Sequence, residues 1–198
     1  MDLEKIRAET PGIKNVIHLN NCGAGLMPQP VLDAVVTHLR REAEIGGYEA
    51  AREADAAIEN SYDAIAALLN CRREEIAVVE NATVAWDMAF YGLPMGQGDV
   101  VLTAVSEYAS NYIAYLQRAR RDGIDVRIIP NDKYGRTDPA ALAGMIDAKR
   151  VKLISITHLP TNGGLINPAA EIGKIARDAG IPYLLDACQS AGQLPLDV

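Results

Sequence analysis

The residues best placed to do chemistry lie where Ile181-Pro182-Tyr183-Leu184-Leu185 runs into Asp186, with Gln189 three positions beyond. Four apolar residues in succession suit a buried parallel strand, and a carboxylate delivered by such a strand needs a charged or hydrogen-bonding partner. Asp186 equally suits a helix N-cap at a strand-to-helix junction, so this stretch alone leaves both roles open. Three further polar clusters follow apolar runs: Asn81-Ala82-Thr83, Glu107-Tyr108, and Thr157-His158 running on to Thr161-Asn162-Gly163-Gly164. A hydroxyl such as that of Thr83, set among the unpaired N–H groups of a helix start, suits a phosphate, although an ordinary first-turn hydroxyl looks the same. Tyr108 offers a flat ring for stacking or an interfacial side chain. His158 has no carboxylate relay in the sequence and is left without a role. Earlier in the chain, Asn20-Asn21-Cys22-Gly23-Ala24-Gly25 breaks a short apolar run into a glycine-rich loop whose backbone can approach a ligand.

These clusters are positioned by an alternation of strands and helices. Apolar runs predict strands at 76–79, 100–102, 126–129, 151–156 and 182–185. Helices are expected to open near Asn81 and to cover 111–121, 139–148 and 168–179, the last with Asn167 as N-cap and Gly180 as its stop. Upstream, Val31, Leu32, Val35, Val36 and Leu39 fall on one helical face that ends at Gly46-Gly47. Ala54, Ile58, Tyr62, Ile65 and Leu69 form a second stripe, read as core. The pattern predicts an α/β fold with a mainly parallel sheet, layered α/β/α, which gathers all four polar clusters at the carboxyl rim where such sheets bind ligands.

The 198 residues carry a net charge of -7, with basic residues scattered, which argues against a nucleic-acid partner. No apolar run approaches membrane-spanning length. Cys22, Cys71 and Cys188 are odd in number and lack CxxC spacing, so neither a disulfide framework nor a metal site is expected, and a reducing cytoplasm fits. Cys188 is read as a small, buried, inert residue.

An anion site, a stacking ring and a carboxylate on one rim describe the phosphate, ring face and ring nitrogen of pyridoxal phosphate. The sequence resembles the class V aminotransferase family, fold-type I pyridoxal-phosphate enzymes that include cysteine desulfurases, C-S lyases and isopenicillin-epimerase-like proteins. The resemblance rests on Leu19-Asn20-Asn21-Cys22-Gly23-Ala24-Gly25, Glu80-Asn81-Ala82-Thr83, Gly98-Asp99-Val100-Val101, Glu107-Tyr108, Thr157-His158 with Gly163-Gly164-Leu165-Ile166-Asn167-Pro168, and Leu185-Asp186-Ala187-Cys188-Gln189. It implies that Ala82 and Thr83 hold the phosphate and that Tyr108 stacks on the pyridine, where desulfurases usually carry histidine. It further implies that Thr161 and Asn162 join the cofactor contacts, that Gln189 bonds the ring hydroxyl and that Asp186 pairs with the ring nitrogen. A carboxylate there keeps the nitrogen protonated, so the ring can withdraw electrons. Asn21, Cys22 and Gly23 would face the substrate, a small amino acid.

The resemblance also sets expectations about what the chain lacks. The family's Schiff-base lysine lies past the glutamine, and none of Lys5, Lys14, Lys133, Lys149, Lys152 and Lys174 stands in that context. The chain is therefore expected to be an N-terminal arm, 1–27, and a cofactor-binding large domain, 28–198, incomplete at its C-terminus. The intact enzyme would carry out desulfuration, other C-S cleavage, transamination or epimerisation. It is expected as a homodimer or with a complementing C-terminal partner. The alternative is a non-catalytic cofactor-binding or dimerisation fragment, or one half of a split enzyme.

Overall fold

The computed structural model describes residues 2–198. They fall into two compact units, the first ending at Ile76 and taking in Val198, the second Ala77–Asp197.

In the first unit, a short helix α1 (Leu3–Ala8) precedes two long ones, α2 (Gln29–Ile45) and α3 (Gly47–Leu69). Gly46 makes the reversal between α2 and α3 at φ 97°, a conformation that costs a side-chain-bearing residue strain. Arg41 on α2 grips Glu53 on α3 in a two-pronged ion pair, Nε to Oε2 and Nη2 to Oε1, both 2.8 Å. The apolar stripe expected to face a core on α2 is instead exposed: Val31, Leu32, Val35 and Leu39 are 40–58% accessible and no residue of α2 is buried. The α3 stripe is not core either: Ala54, Tyr62, Ile65 and Leu69 are half-buried and Ile58 is exposed, while the buried residues of the helix are Ala50 and Ala66. Helical periodicity marks a face for burial without saying what covers it.

The second unit is α/β and three-layered. Four parallel strands, β1 (Val100–Thr103), β2 (Asp125–Ile128), β3 (Val151–Thr157) and β4 (Tyr183–Asp186), lie in the order β2-β1-β3-β4. One face packs Val101 and Leu153 against Trp86, Phe90, Ala114 and Tyr115 of α4 (Ala82–Gly92) and α5 (Ala109–Asp122). The other packs Val100, Leu102, Ile154 and Ile156 against Leu142 of α6 (Pro139–Met145) and Ile172 and Ala176 of α7 (Ala169–Asp178). A register shift at Val100/Val101 lets Val151 share a face with Ile154 although the two are three residues apart. Arg118 of α5, 4% exposed, closes this half by donating to the carbonyls of Phe90, Leu93 and Met95 and pairing with Asp122. Tyr115 is fully buried, its hydroxyl donating to Ser155 Oγ at 2.8 Å across to β3. Tyr115→Phe leaves that buried Ser155 hydroxyl without its donor and is expected to cost about 1–2 kcal/mol, measured as a lower denaturant midpoint at unchanged slope.

Three expected features differ. Ile76–Val79 is extended but is not a strand, because among the described strands none pairs with it and Val78 is 57% exposed. Strand β4 is the outermost of the sheet, bonded only to β3, and its residues are half-buried rather than covered on both faces. Asn167 is not the N-cap of α7. It is buried, its Oδ1 accepting from Thr137 N and its Nδ2 donating to the Thr157 carbonyl at the end of β3, while Pro168 takes the cap position. Gly180 is the stop expected, at φ 66°, with Ile181 N returning to the Ala176 carbonyl.

Candidate functional site

Because the strands are parallel, β1, β3 and β4 end on one rim, and the helices that follow or flank them start there. Asp186 closes β4. Both its oxygens are aimed: Asn111 Nδ2 donates to Oδ2 at 2.8 Å and Cys188 N donates to Oδ1 at 3.0 Å, while His158 N donates to the Asp186 carbonyl at 2.9 Å. The chain after Asp186 is a turn, not a helix, so this side chain is no helix cap. Each carboxylate oxygen keeps a lone pair for a ligand.

Beside it, Asn81 caps α4 by accepting from Val84 N at 3.0 Å, which leaves the Ala82 and Thr83 N–H groups as first-turn donors without partners inside the helix. Thr83 Oγ1 lies 3.5 Å from Ser110 Oγ at the start of α5, so hydroxyls from two helix N-termini converge. Tyr108 occupies the N-cap of α5 and is 51% exposed, its ring open to a neighbour. Gln189 is half-buried in the turn after β4, its carbonyl accepting from Gln193 Nε2. Thr161 and Asn162 lie in the exposed turn beyond β3, closed by Gly164 N to the Pro160 carbonyl; among the described residues they form no hydrogen bond with the Asp186 cluster.

Asn21, Cys22 and Gly23 belong to the first unit. They form an exposed turn in which Gly23 N reaches the Asn20 carbonyl and Cys22 Sγ donates to Asn20 Oδ1 at 3.2 Å. Nearby, Thr10, Ile13, His18, Asn21 and Leu26 help to line a shallow concavity of ≈ 460 Å³.

His158 is buried and bonded through Nδ1 to the buried Ser190 Oγ at 2.9 Å, and desolvation lowers its pKa, which makes it a neutral structural group. Cys188 is exposed rather than buried, because the turn after β4 carries it out of the sheet. Its thiol is nonetheless held protonated, by desolvation first and the Asp186 charge second. No group of three or more metal-ligating side chains exists among the described residues. The lysines of this unit stand elsewhere: Lys149 and Lys152 at the opposite end of β3, Lys174 paired with Asp178, Lys133 over the Tyr134 ring.

Two members of the rim, Ser110 and Asn111, are not among the residues the sequence singles out, and Glu107 is named there only within the Glu107-Tyr108 cluster, without a role. Ser110 and Asn111 carry a local signal as polar residues in the first turn of an amphipathic helix, whereas Glu107 precedes that helix in a turn.

The sequence model of the family described as Aminotransferase class-V matches residues 17–198. The chain belongs to the class-V aminotransferases. It is 29% identical to a probable cysteine desulfurase of Methanothermobacter thermautotrophicus over all of this chain and 50% of that one. It is 30% identical to a probable cysteine desulfurase of Halobacterium salinarum over all of this chain and 51% of that one. Among solved structures it is similar to a cysteine desulfurase from Thermococcus onnurineus in its apo form, at TM-score 0.89 and 26% identity, covering 100% of this chain and 50% of that one. It also resembles a mutant of the enzyme C-DES with glycine covalently linked to its PLP cofactor, at TM-score 0.87 and 28% identity, with 96% and 51% covered. The chain thus spans about half the length of the relatives it matches.

Pyridoxal phosphate is the cofactor that membership of the class-V aminotransferases implies, and the donor chemistry here fits it. Two first-turn N–H groups and two hydroxyls suit a dianionic phosphate, an open tyrosine ring suits a planar heterocycle, and an oriented carboxylate suits a protonated ring nitrogen.

Proposed function

We propose that this chain supplies the cofactor-binding part of a pyridoxal-phosphate enzyme that cleaves a carbon–sulfur bond of a small amino acid of the cysteine or cystine type. The observation that carries the reading is the Asp186 carboxylate held by Asn111 and Cys188 N on the same rim as the converging Thr83 and Ser110 hydroxyls. The substrate class follows from similarity to cysteine desulfurases and to the cystine C-S lyase C-DES, whose structure holds its product cysteine persulfide, at 28% identity and TM-score 0.86. Bound here, the cofactor supplies an electron sink for a carbanion at the amino acid's α-carbon. The chain's own residues do the rest: Ala82, Thr83 and Ser110 anchor the phosphate, Tyr108 covers a ring face, Asp186 retains a proton on the ring nitrogen, and Gln189 is within the same turn for the ring hydroxyl. Thr161 and Asn162 complete the cofactor contacts, and Asn21, Cys22 and Gly23 face the substrate.

The amine that holds and deprotonates the substrate adduct is not supplied at this rim by Ala77–Asp197, whose four lysines lie elsewhere. That observation supports a second reading, a non-catalytic cofactor-binding or dimerisation piece. The exposed stripe Val31, Leu32, Val35 and Leu39 supports a homodimer or a complementing chain, since apolar surface of that extent is stabilised by cover. Among the described residues no helix is long and apolar enough to cross a membrane, and three cysteines that form no disulfide suit a reducing cytoplasm.

The test is binding of pyridoxal phosphate to residues 1–198, followed by cofactor absorbance. Thr83→Val and Ser110→Ala are each expected to weaken binding by roughly tenfold or more, as lost hydrogen bonds to a charged group are worth about 1.5–3 kcal/mol. Neither change should alter binding of pyridoxal, which lacks the phosphate. Equal weakening for both ligands, or none for either, would defeat the assignment of this rim to the cofactor.

A further inference from the structure

Glu107 is a titratable side chain of the rim to which the proposed chemistry gives no task. It sits in the turn between β1 and α5, half-buried, with its carboxyl directed at the end of β3. Oε1 accepts from Thr157 N and Oε2 from Thr157 Oγ1, both at 2.9 Å, so each oxygen is fixed by the same residue. Thr157 is the register partner of Asp186 on β4. Asn111, 2% exposed, lies in the first turn of α5, four residues beyond Glu107. It donates to Asp186 Oδ2 at 2.8 Å, and the same amide also favours the ionised form of Glu107. The two carboxyl groups therefore meet at one strand end, where Thr157 holds Glu107 and the buried Asn111 amide holds Asp186.

Among the described residues neither carboxyl is ion-paired with a cation. The groups acting electrostatically with Glu107 are Asp186 and Tyr183 on β4 and Tyr115 on α5, with Thr157 on β3 and Asn111 on α5 as hydrogen-bond donors. Both phenols are held neutral by burial. An enclosed carboxyl facing a second carboxylate without a counter-ion resists ionising. Burial, with the Asp186 charge adding to it, pushes Glu107 up to about 7 against the opposing Thr157 and Asn111 hydrogen bonds.

We propose that Glu107 is a positioning residue for Asp186: joined to it through Asn111 and Thr157, it sets by its own charge state how strongly the Asp186 carboxylate holds a protonated ring nitrogen. When neutral, Glu107 leaves Asp186 as the single negative charge of the rim. When ionised, it places a second negative charge behind the first and deepens the potential at the ring nitrogen. The ligand half of this inference rests on the cofactor reading above, whereas the coupling of the two carboxyls does not.

Two measurements on the full chain separate them. The first follows the Glu107 carboxyl carbon by NMR through a pH titration of ligand-free protein. Asp186→Asn, which keeps the shape and removes the charge, is expected to lower the Glu107 midpoint by on the order of one pH unit. An unmoved midpoint overturns the coupling. The second measures binding of pyridoxamine 5′-phosphate, which has the ring nitrogen but no aldehyde, across the range around neutral pH. Affinity is expected to rise several-fold as Glu107 ionises, and Glu107→Gln should flatten that rise. A purely structural Glu107 would instead give weaker binding by the same factor at every pH, which overturns the proposal. If unsubstituted protein does not bind pyridoxamine 5′-phosphate at all, the cofactor reading and the ligand half fall together, and the NMR titration decides the carboxyl pair alone.

Discussion

Asp186→Asn in the intact, cofactor-loaded enzyme is expected to lower kcat by on the order of 10²- to 10³-fold, and Asp186→Ala to abolish measurable turnover. In the proposed role the carboxylate's task is electrostatic. A fixed negative charge keeps the ring nitrogen protonated, and losing one preorganised charge or donor aimed at developing charge costs about 2.7–4 kcal/mol of barrier. Asparagine preserves the volume and can still accept from Cys188 N, but it turns an amide nitrogen toward the Asn111 Nδ2 that now donates to Oδ2 at 2.8 Å. One of the two amides must rotate, and the neutral product can no longer favour the pyridinium. Alanine leaves the buried Asn111 amide without its acceptor, a further cost of about 1–3 kcal/mol. Turnover of a cysteine-type substrate, with cofactor absorbance recording whether the ring is still bound, is the measurement. Unchanged kcat in Asp186→Asn would remove this residue from its role.

The legible parts of this fold are those that local chemistry specifies. Val100–Thr103 and Val151–Thr157 announce themselves as strands because they are covered on both sides, and only continuous apolar runs tolerate that. Gly180 and the Asn81 cap were equally readable, since a positive φ and a first-turn donor are requirements of a few residues. Ile76–Val79 has the same composition as a strand but no ladder partner, and pairing is a property of the neighbour. Asn167 preceding Pro168 looks like a cap for the same local reason, yet the carbonyl of Thr157 and the amide of Thr137 claim its side chain first. In the site, Thr83, Tyr108 and Asp186 were found because each follows an apolar run. Glu107 stands in the sequence beside Tyr108 with no role attached to it. What gives it chemistry is enclosure by β3 and the approach of Asp186 across 79 positions of sequence, which no local pattern encodes.

Glu107→Gln is expected to make the protein more stable above neutral pH and to flatten its stability profile between about pH 4.5 and 7. The sign follows from linkage. Glu107 has a folded-state pKa of about 7, above the 4.5 of an unperturbed glutamate, so over that interval the folded chain binds a proton that the unfolded chain has released. Its stabilising contribution is complete below about 4.5 and is lost as pH rises through 7. A shift of that size corresponds to about 3 kcal/mol at 1.36 kcal/mol per pH unit. Carboxylates held low, such as Asp122 between Arg121 and Arg118, act in the opposite sense and at lower pH, so they leave this window clear. Glutamine imitates the protonated acid: its carbonyl accepts from Thr157 N, and its amide faces the Thr157 hydroxyl, which can serve as acceptor. Trp86, the chain's single tryptophan and buried against Phe90 and Tyr115, reports unfolding of this unit by fluorescence. Urea titrations of both proteins at about pH 5 and pH 8 give a difference of differences that isolates Glu107. The substitution should be near neutral or mildly destabilising at the lower pH and stabilising by about 2–3 kcal/mol at the higher one. Parallel profiles would mean that Glu107 is already ionised in the folded protein below pH 5, and that the strand end of Thr157 solvates its charge as well as water does.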